Sequence, residues 1–319
     1  MRRTALARIG REGPPAIPED ARQYIEAATA ESTRRAYRSD WEHFVSWCME
    51  RKAEPLPATP ELAADYAACL AAQYRVSTIE RRLAAISKVH QAAGVEPPTR
   101  SLLVRETMKG IRRKVGVAPT RKAAIRVLHL RQWAQGLPDG LQGLRDRALV
   151  LLGYAGAFRR SELVGLDVAD VEITLEGAKV ILRRSKTDQE GEGQVKAIGY
   201  GLHPKTCPVK AVQEWLSSAG ITAGPIFRAV DRHGHLSEGR LSDKAVGLVV
   251  KRLAVSIGLD PEQVGGHSLR AGFTTDEYHA GTSEALIQSQ TGHKSSTVLR
   301  QYRREADLFA FNFSAAVGL

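Results

Sequence analysis

The chain has 319 residues, 43% of them hydrophobic, which is length for about two domains and too much apolar content for general disorder. Lys and Arg outnumber Asp and Glu by 46 to 35, a formal net charge of +11 that favours a polyanionic partner, most commonly nucleic acid. Cys48, Cys69 and Cys207 are scattered and odd in number, supporting neither a disulfide framework nor a zinc site, and are expected as reduced, buried thiols.

In chain order, residues 1–16 are basic and carry Gly and Pro, and are expected to be a flexible N-terminus. They lack the apolar core of a signal peptide, and no apolar run approaches the ~20 residues of a membrane span, so a cytoplasmic protein without membrane association is expected. Helices follow, beginning with IPEDARQYIEAA at Ile17. STRRAYRSDWEHFVSWCMERK places Tyr37, Trp41, Phe44, Val45 and Cys48 on one stripe at helical spacing. TPELAADYAACLAAQY opens with Thr59 as cap and Pro60 at the first helical position, with Leu62, Tyr66, Cys69 and Leu70 on one face. STIERRLAAISKVHQAAG reads as a capping box, Ser77 with Glu80, closed by Gly94. A fifth helix covers SLLVRETMKGIRRKVG. Residues 17–115 are therefore expected to form an all-helical domain and 116–125 a linker.

The second half is mixed. LRDRALVLLGYAGA is a strongly apolar helix, VEITL and AKVILRR pair as a hairpin about Gly177, and VKAIGYG is a third strand. Helices resume with CPVKAVQEWLSSAG and KAVGLVVKRLAVSIG and continue to the C-terminus. The expected fold is mainly α: a helical domain, then a mostly helical domain at 126–319 with a small antiparallel β-sheet.

Several polar positions attract notice. Arg159 and Arg160 follow the apolar helix directly, and Lys186 sits at a hairpin tip; each is equally a solvated charge. His267 and Arg270 are three apart and would share a helix face, as a capping or core His also would. His293 precedes Tyr302 by nine residues, and a lone Tyr on a helix is usually a core residue.

Taken together, these segments resemble the tyrosine recombinase, or phage integrase, family, of the simple two-domain type. The resemblance rests on Arg159-Arg160-Ser161-Glu162-Leu163, Lys186, His267-Ser268-Leu269-Arg270, Gly292-His293 and Tyr302, in that order. It covers residues 125–304 by motif and extends to 17–115 by architecture, since the family has an N-terminal helical, SAM-like core-binding domain. One departure is Arg160, where the family often has a hydrophobic residue; spacing to Glu162 favours Arg159 as the phosphate-facing arginine.

The resemblance implies a site-specific DNA recombinase that cuts and rejoins strands through a 3′-phosphotyrosyl link. Metal-free phosphodiester cleavage needs a nucleophile, cations around the non-bridging oxygens and an acid for the leaving group. Tyr302 is the expected nucleophile. Arg159 and Arg270 are expected to clamp the phosphate, suited to it as planar, permanently charged donors. Lys186 is expected to protonate the leaving 5′-oxygen, His267 to act as base toward Tyr302, His293 to donate a hydrogen bond to a phosphate oxygen, and Glu162 to orient the basic groups. No cofactor or metal is expected, since the link conserves bond energy and no GxxxxGK[ST] loop or acidic metal cluster is evident.

The expected partner is double-stranded DNA bearing a specific site, gripped by Arg34, Arg38, Arg81, Arg82 and Lys88 on helices of the first domain. Arg240, Ser242 and Lys244 at the start of a later helix complete this set. Four protomers are expected on two duplexes, with the apolar tail (Phe309, Phe311, Phe313, Val317, Leu319) docking in trans. A bacterial, archaeal or phage source is implied. Two alternatives stay open: a type IB topoisomerase, which shares the residue constellation, and a non-catalytic DNA-binding regulator, for which no broken catalytic position is seen.

Overall fold

The computed structural model describes residues 28–117, 122–136, 140–183, 193–293, 299 and 302. The first expected helix, Lys186 and the C-terminal tail lie outside the described residues, apart from Ala28 at the end of that helix. The chain divides into two compact units, Met1–Pro119 and Thr120–Leu319. Among the described residues, no helix is long and apolar enough to cross a membrane.

In the first unit, α1 (Glu31–Glu50) packs on α3 (Val76–Ala92), and α2 (Pro60–Leu70) on α4 (Leu102–Val115). Thr59 caps α2 by accepting from Leu62 N at 3.2 Å, with Pro60 at the first turn, where its missing N–H costs nothing. Ser101 caps α4 in the same way through Val104 N. The core is aromatic: Tyr66 sits edge-on to Phe44 at 4.9 Å and to Trp47 at 5.0 Å between ring centroids. His90 is fully buried, with Nε2 accepting from Ala58 N and Nδ1 donating to Ile86 O, both at 2.9 Å.

Two local expectations fail here. The helix α3 starts at Val76, with Arg75 as cap and no side-chain cap bond, so Ser77 lies inside the helix. Glu80 turns outward instead and accepts from Arg112 at 2.8 Å. Cys69 is exposed, because the buried face of α2 runs through Ala63, Tyr66, Ala67 and Leu70, and Cys69 falls beside that stripe. Cys48 is buried, and loss of water pushes its thiol up to about 11.

The second unit is built on α6 (Leu141–Ala155), whose Ala148–Leu152 stretch is buried all round. Around it lie α5 (Val127–Gly136), the short α7 (Arg160–Gly165), α8 (Pro208–Ser218), α9 (Asp243–Ser256), α10 (Ser268–His279) and α11 (Glu284–Thr291). A three-stranded antiparallel sheet, β1 (Val171–Ile173), β2 (Gly177–Leu182) and β3 (Gln194–Gly199), runs in sequential order, with Ile173 opposite Ala178 and Ala178 opposite Ile198. Its inward positions, Ala178, Val180, Leu182 and Ile198, join the core. A second hairpin, β4 (Arg228–Val230) with β5 (Leu236–Arg240), is largely exposed and polar, and so shows no clear alternation in sequence.

Candidate active site

Arg159 ends the turn after α6 and is the N-cap of α7. Glu162, at the third position of α7, is buried and accepts from Arg159 N at 2.9 Å and from the Arg159 guanidinium. The Arg-x-x-Glu spacing thus closes the helix start and aims the guanidinium together. Arg160 points elsewhere, toward Asp243 at 3.9 Å and against Gly266.

Arg270, on the first turn of α10, is only 1% exposed. One guanidinium nitrogen donates to Ala157 O at 2.8 Å and another to His293 Nε2 at 3.1 Å. Its Nε is buried and has no partner among the described residues. Burial, then the neighbouring Arg159 charge, pull Arg270 down to about 10. Among the described residues, Glu162 is the one carboxylate shared by these two guanidiniums, bonded to Arg159 and acting on Arg270 through its charge.

His293 follows α11, which ends in the left-handed Gly292 (φ 64°, ψ 37°). A residue with a Cβ is strained there, so glycine is what lets the chain reverse and bring His293 back to α10. Thr291 Oγ1 donates to Ile287 O at 2.7 Å, so it must accept from His293 Nδ1 at 2.8 Å. Nε2 is then left with a lone pair, which Arg270 occupies. Burial and the charges of Arg270 and Arg159 bring the imidazole down to about 3. In this arrangement His293 accepts from Arg270 and fixes it.

His267 precedes α10 and lies open to solvent on one edge. Its Nε2 is 3.3 Å from Tyr302 Oη. Loss of water around the ring, then the charges of Arg270, Arg159 and Arg160, hold it below the ordinary imidazole value of 6.5. A neutral imidazole against a phenol, with guanidiniums nearby, suits proton removal from Tyr302.

The remaining sequence candidates divide. Arg34, Arg38, Lys88 and Lys244 are exposed. Arg81 is tied to the buried Asp40 by two bonds of 2.8 and 3.0 Å. Arg82 is not a surface cation: it is 8% exposed, lies 4.2 Å over the Tyr74 ring and contacts His43 and Asp40. Its position on α3 faces α1, where Asp40 requires a cation. Arg240 is held by Val164 O, Leu166 O and Asp167, and Ser242 caps α9 through Ala245 N. Among the described residues, no cluster of three His, Cys, Asp or Glu could hold a metal ion.

Sequence reasoning missed Lys196. It is 1% exposed, on β3, with its amine 2.6 Å from Gly156 O and close to the charges of Glu162, Arg270 and Arg159. The signal was present: with Ile198 inward, two-residue alternation puts Lys196 inward too.

Residues 129–308 match the model of the phage integrase family, and residues 22–96 match the phage integrase N-terminal SAM-like domain. The chain belongs to the phage integrase family. Its relatives are tyrosine site-specific recombinases. The integrase/recombinase xerD homolog of Selenomonas ruminantium is 38% identical over 296 residues, covering 92% of this chain and 87% of that protein. Recombinase cre of Escherichia phage P1 is 26% identical, covering 88% and 86%. Solved integrases share the fold at lower identity. The Tn1549 transposon integrase in complex with transposon right end DNA is 16% identical, covers 91% of this chain and 97% of that one, and superposes with a TM-score of 0.60. A lambda integrase dimer bound to a COC' core site is 20% identical, covers 89% and 93%, and has a TM-score of 0.57.

Proposed function

We propose that this recombinase cleaves double-stranded DNA at a specific site with Tyr302, and that the observation carrying the reading is the contact between His267 Nε2 and Tyr302 Oη beside the Arg159–Arg270 pair. Tyr302 Oη attacks the phosphorus while its proton passes to His267. The P–O5′ bond breaks, the phosphate stays on Tyr302 as a 3′-phosphotyrosyl link, and Lys186 gives the leaving oxygen its proton. Arg159 and Arg270, whose Nε has no partner among the described residues, hold the non-bridging oxygens, where charge grows in the transition state. Glu162 aims Arg159, and His293 orients Arg270. A 5′-hydroxyl from a second duplex then attacks the link and exchanges the strands.

Arg34, Arg38, Lys88 and Lys244 are exposed cations suited to phosphate contacts, which set register more than they read bases. Exchange between two duplexes needs four such sites, so the working form is a homotetramer, coupled by the tail from Phe309 to Leu319 docking on a neighbour. Excision, integration or resolution of a DNA element in the cytoplasm is the resulting activity.

The test uses DNA recovered by sequencing what Tyr302→Phe binds, rebuilt as a nicked suicide substrate. Wild-type protein is expected to accumulate a covalent 3′-complex and Tyr302→Phe none. A covalent complex with Tyr302→Phe would show that another residue is the nucleophile.

A further inference from the structure

The turn after α6 is held in an unusual way. A helix ends with carbonyls that have no partner within the helix, and its C-terminus carries partial negative charge. Here three successive carbonyls are each taken by a side chain from a different element. Gln290 on α11 donates to Ala155 O at 3.0 Å, Lys196 on β3 to Gly156 O at 2.6 Å, and Arg270 on α10 to Ala157 O at 2.8 Å. The turn needs holding, because Ala157 lies in the left-handed region at φ 48°, which disfavours any residue with a Cβ. Two residues later the chain reaches Arg159.

Burying an ammonium is costly unless it is compensated. Lys196 is compensated in part by the carbonyl, by the face of the Phe158 ring at 4.8 Å and by the nearby Glu162 carboxylate, while burial, then the Arg270 and Arg159 charges, pull its amine down to about 7. Its amine is committed to the backbone of the turn, at the Gly156 carbonyl. Its strand pairs with β2, and Lys186 falls between the two strands in sequence.

We propose that Lys196 is a positioning residue: with Gln290 and Arg270 it clamps the 155–157 carbonyls, so that the strand after Lys186 and the helices bearing Arg270 and leading to His293 are registered on the turn that presents Arg159. This rests on the reading of Tyr302 and Arg159 as cleavage machinery. Lys196 acts through Arg159 rather than on DNA. Its loss therefore slows bond breaking and leaves binding alone, since small misplacements of a catalytic group cost up to ~10²-fold in rate.

The experiment compares wild type, Tyr302→Phe, Lys196→Met and Lys196→Met combined with Ala157→Gly on the suicide substrate, with DNA affinity and Tm measured alongside. Lys196→Met is expected to fold with Tm unchanged or higher, to bind DNA within about threefold of wild type, and to cleave about 10–100-fold more slowly. Ala157→Gly, which removes the backbone penalty at the clamped residue, is expected to recover at least about threefold of that rate. The proposal is overturned if Lys196→Met cleaves less than tenfold slower, if binding falls with cleavage, or if Ala157→Gly recovers nothing. Should Lys196→Met not fold, Gln290→Ala, which frees the Ala155 carbonyl of the same turn, is held to the same rate and binding limits. A covalent complex with Tyr302→Phe would instead remove the functional reading itself.

Discussion

His267 and His293 carry the same imidazole in different surroundings, and the roles proposed for them follow from their neighbours. His293 has both ring nitrogens committed, one to Thr291 and one to Arg270. An acceptor at that point is what the site uses, so His293→Gln, which keeps an acceptor, is expected to cleave within about tenfold of wild type. His293→Leu is expected to lose on the order of 10²-fold by releasing Arg270. Equal rates for the two would mean that acceptance is not the role; both are read as single-turnover cleavage. His267 has to be neutral to take a proton. Its value is lowered from 6.5, so the base form survives to lower pH than in free imidazole. Cleavage is expected to fall only as pH drops below 6.5, with at least half the plateau rate kept at pH 6.5, and this limb is expected to vanish in His267→Leu. An acidic limb centred above pH 6.5 would contradict that environment. The named motif residues were legible in sequence because each chemical role admits few residue types. Lys196 went unread because a lysine in a strand looks solvated until the inward face is known.

At the scale of elements, the site depends on how closely backbones approach. Gly272 on α10 lies against the segment before α5, where Ile125 N donates to Ser268 O at 2.9 Å. A Cβ on Gly272 would come within 1.7 Å of Ile125 O, a backbone atom that cannot swing aside. Gly272→Ala is therefore expected to destabilise the protein by about 1–3 kcal/mol in denaturant unfolding. It should also slow cleavage, since α10 carries Arg270. An unchanged unfolding midpoint would mean that α10 can shift without cost. Helix existence followed from apolar periodicity, and the caps at Thr59 and Ser101 follow from side chains that bond locally. The start of α3 did not follow, because a Ser-x-x-Glu pattern competes with tertiary partners. Glu80 finds Arg112 on α4, thirty-two residues away. The short α7 has only six residues and is set by the Arg159–Glu162 contacts rather than by periodicity.

For the whole molecule, a net charge of +11 sets the long-range attraction to DNA. Affinity is expected to fall linearly on a log–log plot against salt, because each phosphate contact releases a counterion. Replacing Arg38 or Lys88 by Gln is expected to reduce that slope by about 1 apiece. Arg82→Gln is expected to leave the slope unchanged and lower Tm, since Arg82 is inside the first unit; a slope change there would return it to the DNA-facing set. By itself the sequence determined the helical plan, the small sheet and the residues proposed to react, because apolar periodicity and motif chemistry are properties of residue type and spacing. Only the tertiary structure decided which cations face outward, which nitrogen of His293 is left to accept, and which carbonyl the amine of Lys196 meets. Those depend on groups far apart in the chain, such as Asp40 with Arg81, Arg270 with His293 and Lys196 with Gly156, whose proximity no local pattern encodes.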